Sequence, residues 1–476
     1  MEYLKWTEVA KKYKVVEEKQ ENIHNLLKDE LRKSNIKLVV LDDDPTGVQA
    51  VHGISVYTRW DYDSILEGFL EEERMFFLLT NSRAMTEEQT IQVHKEIAAN
   101  IIKASKASGK KFLIISRGDS TLRGHYPLET SVLKTEIEQQ TGCKIHGEIL
   151  IPYFHAGGRF TVDNIHYVKM GEDLIPAAMT EFAKDKTFGY TKSDLREYVE
   201  EKTRGKVLAQ EVRTFTLEQF REEALDQLEK ELCAMDSFEK GIVNAVSTYD
   251  LEVFCTMLYK ALAKGKLYLL RTAADFVKVM GGISHKPLLT KSDMIPGELE
   301  HGGIVVIGSH TEKTTAQLNA LKSVEGLVFM EFNSDLVLED GLDSEVDRVC
   351  ELSSRHIAEG RTVVVYTKRK LLVLEQDTKE EALLRSVKIS QGVLQLVEKL
   401  GTTPSFVIAK GGITSSDIGV KALKVKKAHV LGQIQPGIPV WRTDEESLFP
   451  GIPYIIFPGN VGEDHSLRAV VEELMG

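Results

Sequence analysis

Leu38-Val39-Val40-Leu41-Asp42-Asp43-Asp44-Pro45-Thr46-Gly47 drives an apolar run into three carboxylates and a turn. With Ile36, its aliphatic residues lack the in-and-out alternation of a half-exposed sheet, so they read as a strand buried on both faces, as in a parallel sheet. In open α/β sheets, ligands bind in the crevice beyond the carboxyl ends of the strands, which is where Asp42, Asp43 and Asp44 fall. Pro45 and Gly47 fix the turn, and Thr46 either caps the helix that follows or hands its hydroxyl to a ligand. Three adjacent carboxylates repel one another unless a cation, an arginine or a shared proton offsets the cost. A solvated acidic turn is the alternative, but its place directly after a fully apolar strand favours a site.

The same arrangement recurs downstream. Strands are expected over 53–58 and 74–80, the second ending in Asn81, Ser82 and Arg83, and Thr86 with Gln89 forms a capping box for a long helix closed by Gly109. A strand over 111–116 runs into Arg117-Gly118-Asp119-Ser120-Thr121-Leu122-Arg123-Gly124. Arg117, Arg123, Ser120 and Thr121 suit a carboxylate or a hydroxyl-rich ligand, because guanidinium forks bind carboxylates bidentately. They equally suit pairing with the aspartates of the first loop. After a strand over 148–151, residues 152–160 with Gly157, Gly158 and Arg159 read as a flexible loop able to fold over a substrate, while His155 and His166 read as structural. Further strands over 242–246 and 267–270, the latter ending in Arg271 and Thr272, complete an alternation of strand and helix that marks a mainly parallel sheet.

The chain has 476 residues and a formal charge of -12. That length predicts two large domains, and that charge argues against nucleic acid or an anionic membrane as partner. A small molecule is the expected partner. Four scattered cysteines without zinc spacing fit a reducing cytoplasm. Residues 1–35 read as an amphipathic helical extension, 36–280 as one domain, 281–302, rich in Gly and Pro, as the interdomain segment, and 303–476 as a second domain. The fold class is therefore α/β: two α/β domains with mainly parallel sheets and an interdomain active-site cleft.

In the second domain a strand over 304–307 ends in Gly308-Ser309-His310, and others are expected over 327–332, 362–366 and 406–409. The last leads into Lys410-Gly411-Gly412-Ile413-Thr414-Ser415-Ser416-Asp417 and a helix. Glycines that let backbone N–H groups approach, followed by a helix amino terminus, make an anion site whose natural guest is a phosphate. An ordinary tight turn and helix cap would look similar. A strand over 454–457 ending in Pro458-Gly459-Asn460-Val461-Gly462 tips the balance, since three strand-end loops then converge on one nucleotide. No Walker A loop is present.

The acidic turn, the 117–124 loop, Gly308-Ser309, Gly411-Gly412 and Gly459-Asn460, in this order over nearly the whole chain after the first helix, resemble the four-carbon acid sugar kinase family. The resemblance implies an amino-terminal sugar-acid-binding domain, a carboxy-terminal nucleotide-binding domain, and ATP-dependent phosphorylation of acids such as threonate, erythronate or 3-oxo-tetronate. It places ATP across Ser309, Gly411, Gly412, Thr414, Gly459, Asn460 and Gly462, with Mg2+ held chiefly by the phosphates and Asp43 or Asp44 as a further ligand. Asp43 or Asp44 becomes the general base. The acid would contact Asp42, Thr46, Gly47, Arg83, Arg117, Asp119, Ser120, Thr121, Arg123, Gly158 and Arg159. Ile413, where many members carry Glu, and Pro45, where they carry a leucine-like residue, mark a diverged branch. The unprotected edges of parallel sheets suggest a homodimer. Two rivals are a non-catalytic sensor of a sugar acid and a nucleotide, and a two-domain oxidoreductase, the latter disfavoured by the lack of a Gly-x-Gly-x-x-Gly fingerprint.

Overall fold

Residues 3–370, 372, 374, 377–459 and 461–476 are described by the computed structural model, in which the chain divides into two units, Met1–His285 and Lys286–Gly476. The first is built on a parallel sheet in the order Arg213–Phe215, Glu239–Val243, Gly147–Ile151, Tyr268–Thr272, Phe112–Arg117, Lys37–Asp42, Met75–Leu79 and Ser55–Tyr57. Every residue of Lys37–Asp42 is buried, as its unbroken apolar run requires. Its register sets Asp42 beside Leu79 on one neighbour and Arg117 on the other, with Arg117 in turn beside Thr272. The carboxyl ends of these strands are therefore level, and the polar loops leave from one edge.

The helix Glu87–Ser108 starts at the Thr86/Gln89 capping box and stops at Gly109, whose φ of 68° ends it in the left-handed region. Its Ile97 and Ile101 meet Val39, Leu41 and Phe76 of the sheet and Leu133 of the helix Leu128–Thr141 in one buried cluster. Each such side chain contributes about 1.5–3 kcal/mol by leaving water.

Two features of this unit differ from expectation. The first residues do not form one helix: a short strand, Leu4–Lys5, leads into Trp6–Lys12 and then Glu17–Lys33. Tyr13 breaks the run because its ring is buried and its hydroxyl donates to Glu218 Oε1 at 3.0 Å. The second helix buries Ile23, Leu27 and Leu31 and packs on Thr248–Ala263. Residues 152–158, read as part of a flexible loop, form a turn closed by the Phe154–Arg159 bridge, and Arg159–Val162 joins a second, antiparallel sheet with Ile165–Met170, Asp173–Pro176 and Leu4–Lys5. Asp163 and Asn164, at φ 49° and 71°, make the tight two-residue turn that lets it fold back.

The second unit orders its parallel strands Val328–Phe332, Val363–Thr367, Ile304–Ile307, Val407–Lys410 and Pro453–Phe457. An antiparallel hairpin, Lys427–Gln435 with Ile438–Thr443, extends the sheet beyond the last of these. No helix among the described residues is long and apolar enough to cross a membrane.

Candidate functional site

At the carboxyl edge of the first sheet, aspartates and arginines interleave. Asp43, 3% exposed, is clamped by Arg83, whose Nη2 and Nε lie 2.7 and 3.2 Å from its two oxygens. Arg83 also reaches Asp44 Oδ2 at 3.3 Å. Arg117 donates to Asp42 Oδ1 at 3.0 Å and stands 3.7 Å from Asp43. Arg117 thus pairs with the aspartates of the first loop, one of the two roles the sequence left open for it, whereas Arg123 pairs with Asp119 of its own loop.

The three aspartates are not equivalent. Asp42 is 1% exposed; burial, resisted by Arg117 and reinforced by Asp43 and Asp44, pushes its carboxyl up to about 7. Gly47 lies so close that a Cβ would fall 1.9 Å from Asp42 Oδ2, so only glycine lets the turn pass over this carboxylate. The geometry gives Asp42 the task of holding Arg117. Burial also opposes ionisation of Asp44, but Arg83 and the bonds from Thr46 outweigh it and hold its carboxyl below the usual value. Asp44, not Thr46, caps the short 3-10 turn Pro45–Ala50, accepting from Thr46 N at 2.7 Å; the Thr46 hydroxyl is spent on the same carboxylate.

In the 117–124 loop, Asp119 binds Arg123 Nε at 2.7 Å and the Thr121 hydroxyl. Burial works against its charge, but Arg83 and Arg123 prevail and keep Asp119 well below the normal carboxylate range. Ser120 and Thr121 are buried. The Ser120 carbonyl takes a hydrogen bond from His166 Nε2 at 2.8 Å, and burial pushes that imidazole down to about 4. His166 is a neutral structural histidine, as expected. Arg123 and Arg159 both lie over the Phe182 ring, at 5.2 and 5.4 Å. Arg159 Nε is buried without a partner. Gly158, at φ 72°, sits in a turn whose ends, Phe154 and Arg159, exchange backbone bonds of 3.1 and 2.9 Å.

Arg271 and Glu129 were not among the sequence candidates. Arg271, at the end of Tyr268–Thr272, donates to Ser116 Oγ at 2.9 Å and pairs with Glu129, which also accepts from Ser82 Oγ at 2.6 Å. Cβ atoms at Gly118 or Gly124 would meet its guanidinium at 2.3 and 2.6 Å. Arg271 is therefore the floor under the 117–124 loop. Its place at a strand end was the only signal available; Glu129, inside a helix, gave none.

The second unit builds a different site. Its three glycine loops do converge: Cβ atoms at Gly308 and Gly411 would lie 2.3 and 3.1 Å from Thr414 Oγ1, and one at Gly459 would lie 3.2 Å from Ser309 Oγ. Thr311 and Thr314 tie the Gly459 carbonyl at 3.3 and 3.2 Å. Gly412 alone faces open space. Beneath, buried Lys410 donates to the Pro458 carbonyl at 2.6 Å, and burial, with Lys313 nearby, pushes its ammonium down to about 7. Gly308, Ser309, Gly411, Gly412 and Thr414 line a cavity of about 680 Å³ closed by Ile389, Ser390 and Val393 of the helix Lys379–Glu398. Gly462 stands apart from the cradle: a Cβ there would strike Ser466, and its carbonyl holds Lys313 Nζ at 2.9 Å. Asn460 lies outside the described residues, as does the side chain of Ile413. Among the described residues, no group of three or more His, Cys, Asp or Glu is disposed to hold a metal ion.

Comparison with known proteins agrees with this division. A family model described as a sugar-binding N-terminal domain matches residues 38–280, and one described as a nucleotide-binding C-terminal domain matches residues 304–467. No curated protein matches. Among solved structures, a Haemophilus influenzae protein of the DUF1537 family aligns at TM-score 0.60 and 16% identity, covering 92% of this chain and 100% of that one. A Salmonella typhimurium LT2 protein aligns at TM-score 0.64 and 15% identity, covering 91% and 98%. These two likenesses are of fold.

Proposed function

The chain belongs to the four-carbon acid sugar kinase family, and from that premise we propose that it transfers the terminal phosphoryl group of ATP to a hydroxyl of a four-carbon sugar acid such as threonate, erythronate or 3-oxo-tetronate. The observation that carries this reading is the cradle of Gly308, Ser309, Gly411 and Gly459, in which an added Cβ would strike Thr414 at Gly308 and crowd Thr414 or Ser309 at Gly411 and Gly459, while Gly412 stays open. The Gly308 and Gly411 N–H groups are paired with the Lys410 and Phe457 carbonyls at 3.3 and 2.9 Å, so the phosphates would approach at Gly412, the first residue of the helix Gly412–Asp417, where backbone N–H groups suit phosphate oxygens. The nucleotide would lie across Ser309, Gly411, Gly412, Thr414 and Gly459, with Mg2+ carried on its phosphates. That ion would neutralise charge on the β- and γ-phosphates.

Phosphoryl transfer asks little covalent chemistry of the protein; it needs alignment, charge neutralisation and a group to take the acceptor proton. Asp43 or Asp44 takes that proton. Asp44 is the more accessible, its side chain 19% exposed against 2% for Asp43. Arg83 holds both carboxylates in place, and Arg117, locked by Asp42, fixes Arg83's partner Asp43 from the other side. The substrate carboxylate would be held by Arg123 and Arg159, whose guanidinium groups share the Phe182 ring.

ATP consumption with Mg2+ across four-carbon sugar acids and their 2- and 3-oxo relatives tests the reading. Turnover on one acid, absent without it, is the expected result. Binding of ATP with no turnover on any acid would remove the substrate class and leave a sensor.

A further inference from the structure

A fourth strand-end loop reaches the edge where the glycine loops meet. Val363–Thr367 runs parallel to Ile304–Ile307 with Tyr366 beside Ile307, so Thr367, Lys368 and Arg369 leave the sheet level with Gly308 and Ser309. Thr367 and His310 line the nucleotide cavity, and the Thr367 hydroxyl lies 3.4 Å from His310 Nε2. Lys368 is spent on Asp335. Arg369 is not spent. Its Nε and Nη2 both donate to Thr315 Oγ1, at 3.3 and 2.8 Å, and its Nη1 is buried with no partner. Among the described residues no carboxylate lies within ion-pairing distance of it.

A buried guanidinium N–H left unmatched costs free energy and calls for an explanation. Thr315, on the helix Glu312–Leu321 whose capping Thr311 ties the Gly459 carbonyl, aims the fork and leaves one arm free. The group also lies near enough to His310, on the cavity wall, for its charge to help burial lower that imidazole's proton affinity. Burial likewise lowers the proton affinity of Arg369 itself, as expected of a cation short of an anion.

We propose that Arg369 is a phosphate-binding residue of the nucleotide site, with Nη1 directed to the β- and γ-phosphates. This rests on the nucleotide reading above and adds to it the group that tells a di- or triphosphate from a monophosphate. A backbone N–H donor acts without regard to phosphate count, and those of Gly308 and Gly411 are already paired with carbonyls; Arg369 brings a full charge on a planar fork.

Calorimetric titration of the full chain with ATP, ADP and AMP, in the wild type and in Arg369→Met, tests it. ATP and ADP affinity should fall about 10- to 100-fold, the range for a hydrogen bond to a charged group, with AMP affinity unchanged. Arg369→Lys should recover part of the loss, because it restores charge but not the fork. Equal weakening of all three nucleotides would show that Arg369 only supports the loop, and no weakening would also overturn the assignment. Should Arg369→Met fail to fold, Thr315→Val, which frees the guanidinium from its hydroxyl anchor, must weaken ATP more than AMP or the assignment falls. If the wild type bound none of the three, the nucleotide reading would fail with it; if it bound all three and only the variant prediction failed, that reading would stand.

Discussion

The two candidate sites sit at the carboxyl edges of similar parallel sheets yet are made of opposite materials. In the Met1–His285 unit the site is side-chain charge: Asp43 and Asp44 on Arg83, Asp42 on Arg117, Glu129 on Arg271, nearly all withdrawn from water. In the Lys286–Gly476 unit it is backbone and hydroxyl: Gly308, Gly411 and Gly459 against Ser309 and Thr414, with no ion pair among them. A charge network fixes each group through several partners, so its members fail together. A glycine cradle depends on empty space, so it fails by the addition of atoms rather than by their loss.

The largest expected effect tests the charge network where it meets chemistry. Of Asp43→Asn and Asp44→Asn, the variant lacking the true base should lose about 10²–10⁴ in turnover while keeping wild-type ATP affinity. If both variants also lost ATP binding, the division of labour between the sites would be wrong. Next comes Gly47→Ala. Its Cβ would drive the Asp42 carboxylate off Arg117, and breaking a buried pair costs about 3–5 kcal/mol, read as a lowered unfolding midpoint. A drop within about 0.5 kcal/mol, the ordinary range for a surface change, would mean that the pair is expendable. Smaller still is Gly411→Ala, which must adopt φ 130° at a cost of about 1–3 kcal/mol. It should weaken ATP about tenfold or more and leave sugar-acid binding intact.

The last prediction sets the two sites against each other in pH. Folded Asp42 keeps its proton up to about 7, against 3.8 for the free side chain. The folded state therefore holds the extra proton between those values, and this contribution to stability fades as pH rises from about 4 to 7. Lys410 is the reverse: folded, it releases its proton near 7, against 10.5 when free. Its contribution is present above 10.5 and is lost as pH falls toward 7. Hydrogen exchange measured on each sheet should give slopes of opposite sign, Asp42→Asn flattening the first and Lys410→Met the second. Wild-type slopes that neither variant changed would refute the assignment.

How much of this was legible depended on how far apart in sequence the causes lie. Strands such as Ile304–Ile307 announce themselves by unbroken apolar runs, and the loops after them by their polar residues, so the parallel sheets and most of both sites could be read locally. The hairpin over 427–443 carried a signal too: Ala428, Val430 and Ile434 alternate with polar Lys427, His429, Gln433 and Gln435, matching the alternating burial of the strand, and the Pro436-Gly437 turn joins its arms. Asp163-Asn164 is the same lesson in the small sheet. Arg271 and Glu129 were illegible for a stronger reason, because they lie 142 positions apart and no local pattern marks a helical glutamate as the partner of a distant strand end. Tyr13 likewise interrupts a run of helical spacing only because Glu218 waits elsewhere in the fold.

Gly412, the one cradle position where an added carbon meets nothing within 4 Å, makes the proposed nucleotide site accessible to optical measurement. A thiol placed there by Gly412→Cys, whose Cβ meets no neighbour, would carry an environment-sensitive dye to the cavity wall. Cys143 is the exposed native thiol, so Cys143→Ser would precede labelling. Fluorescence would then follow occupancy in real time, before any acceptor is identified and with no reaction taking place.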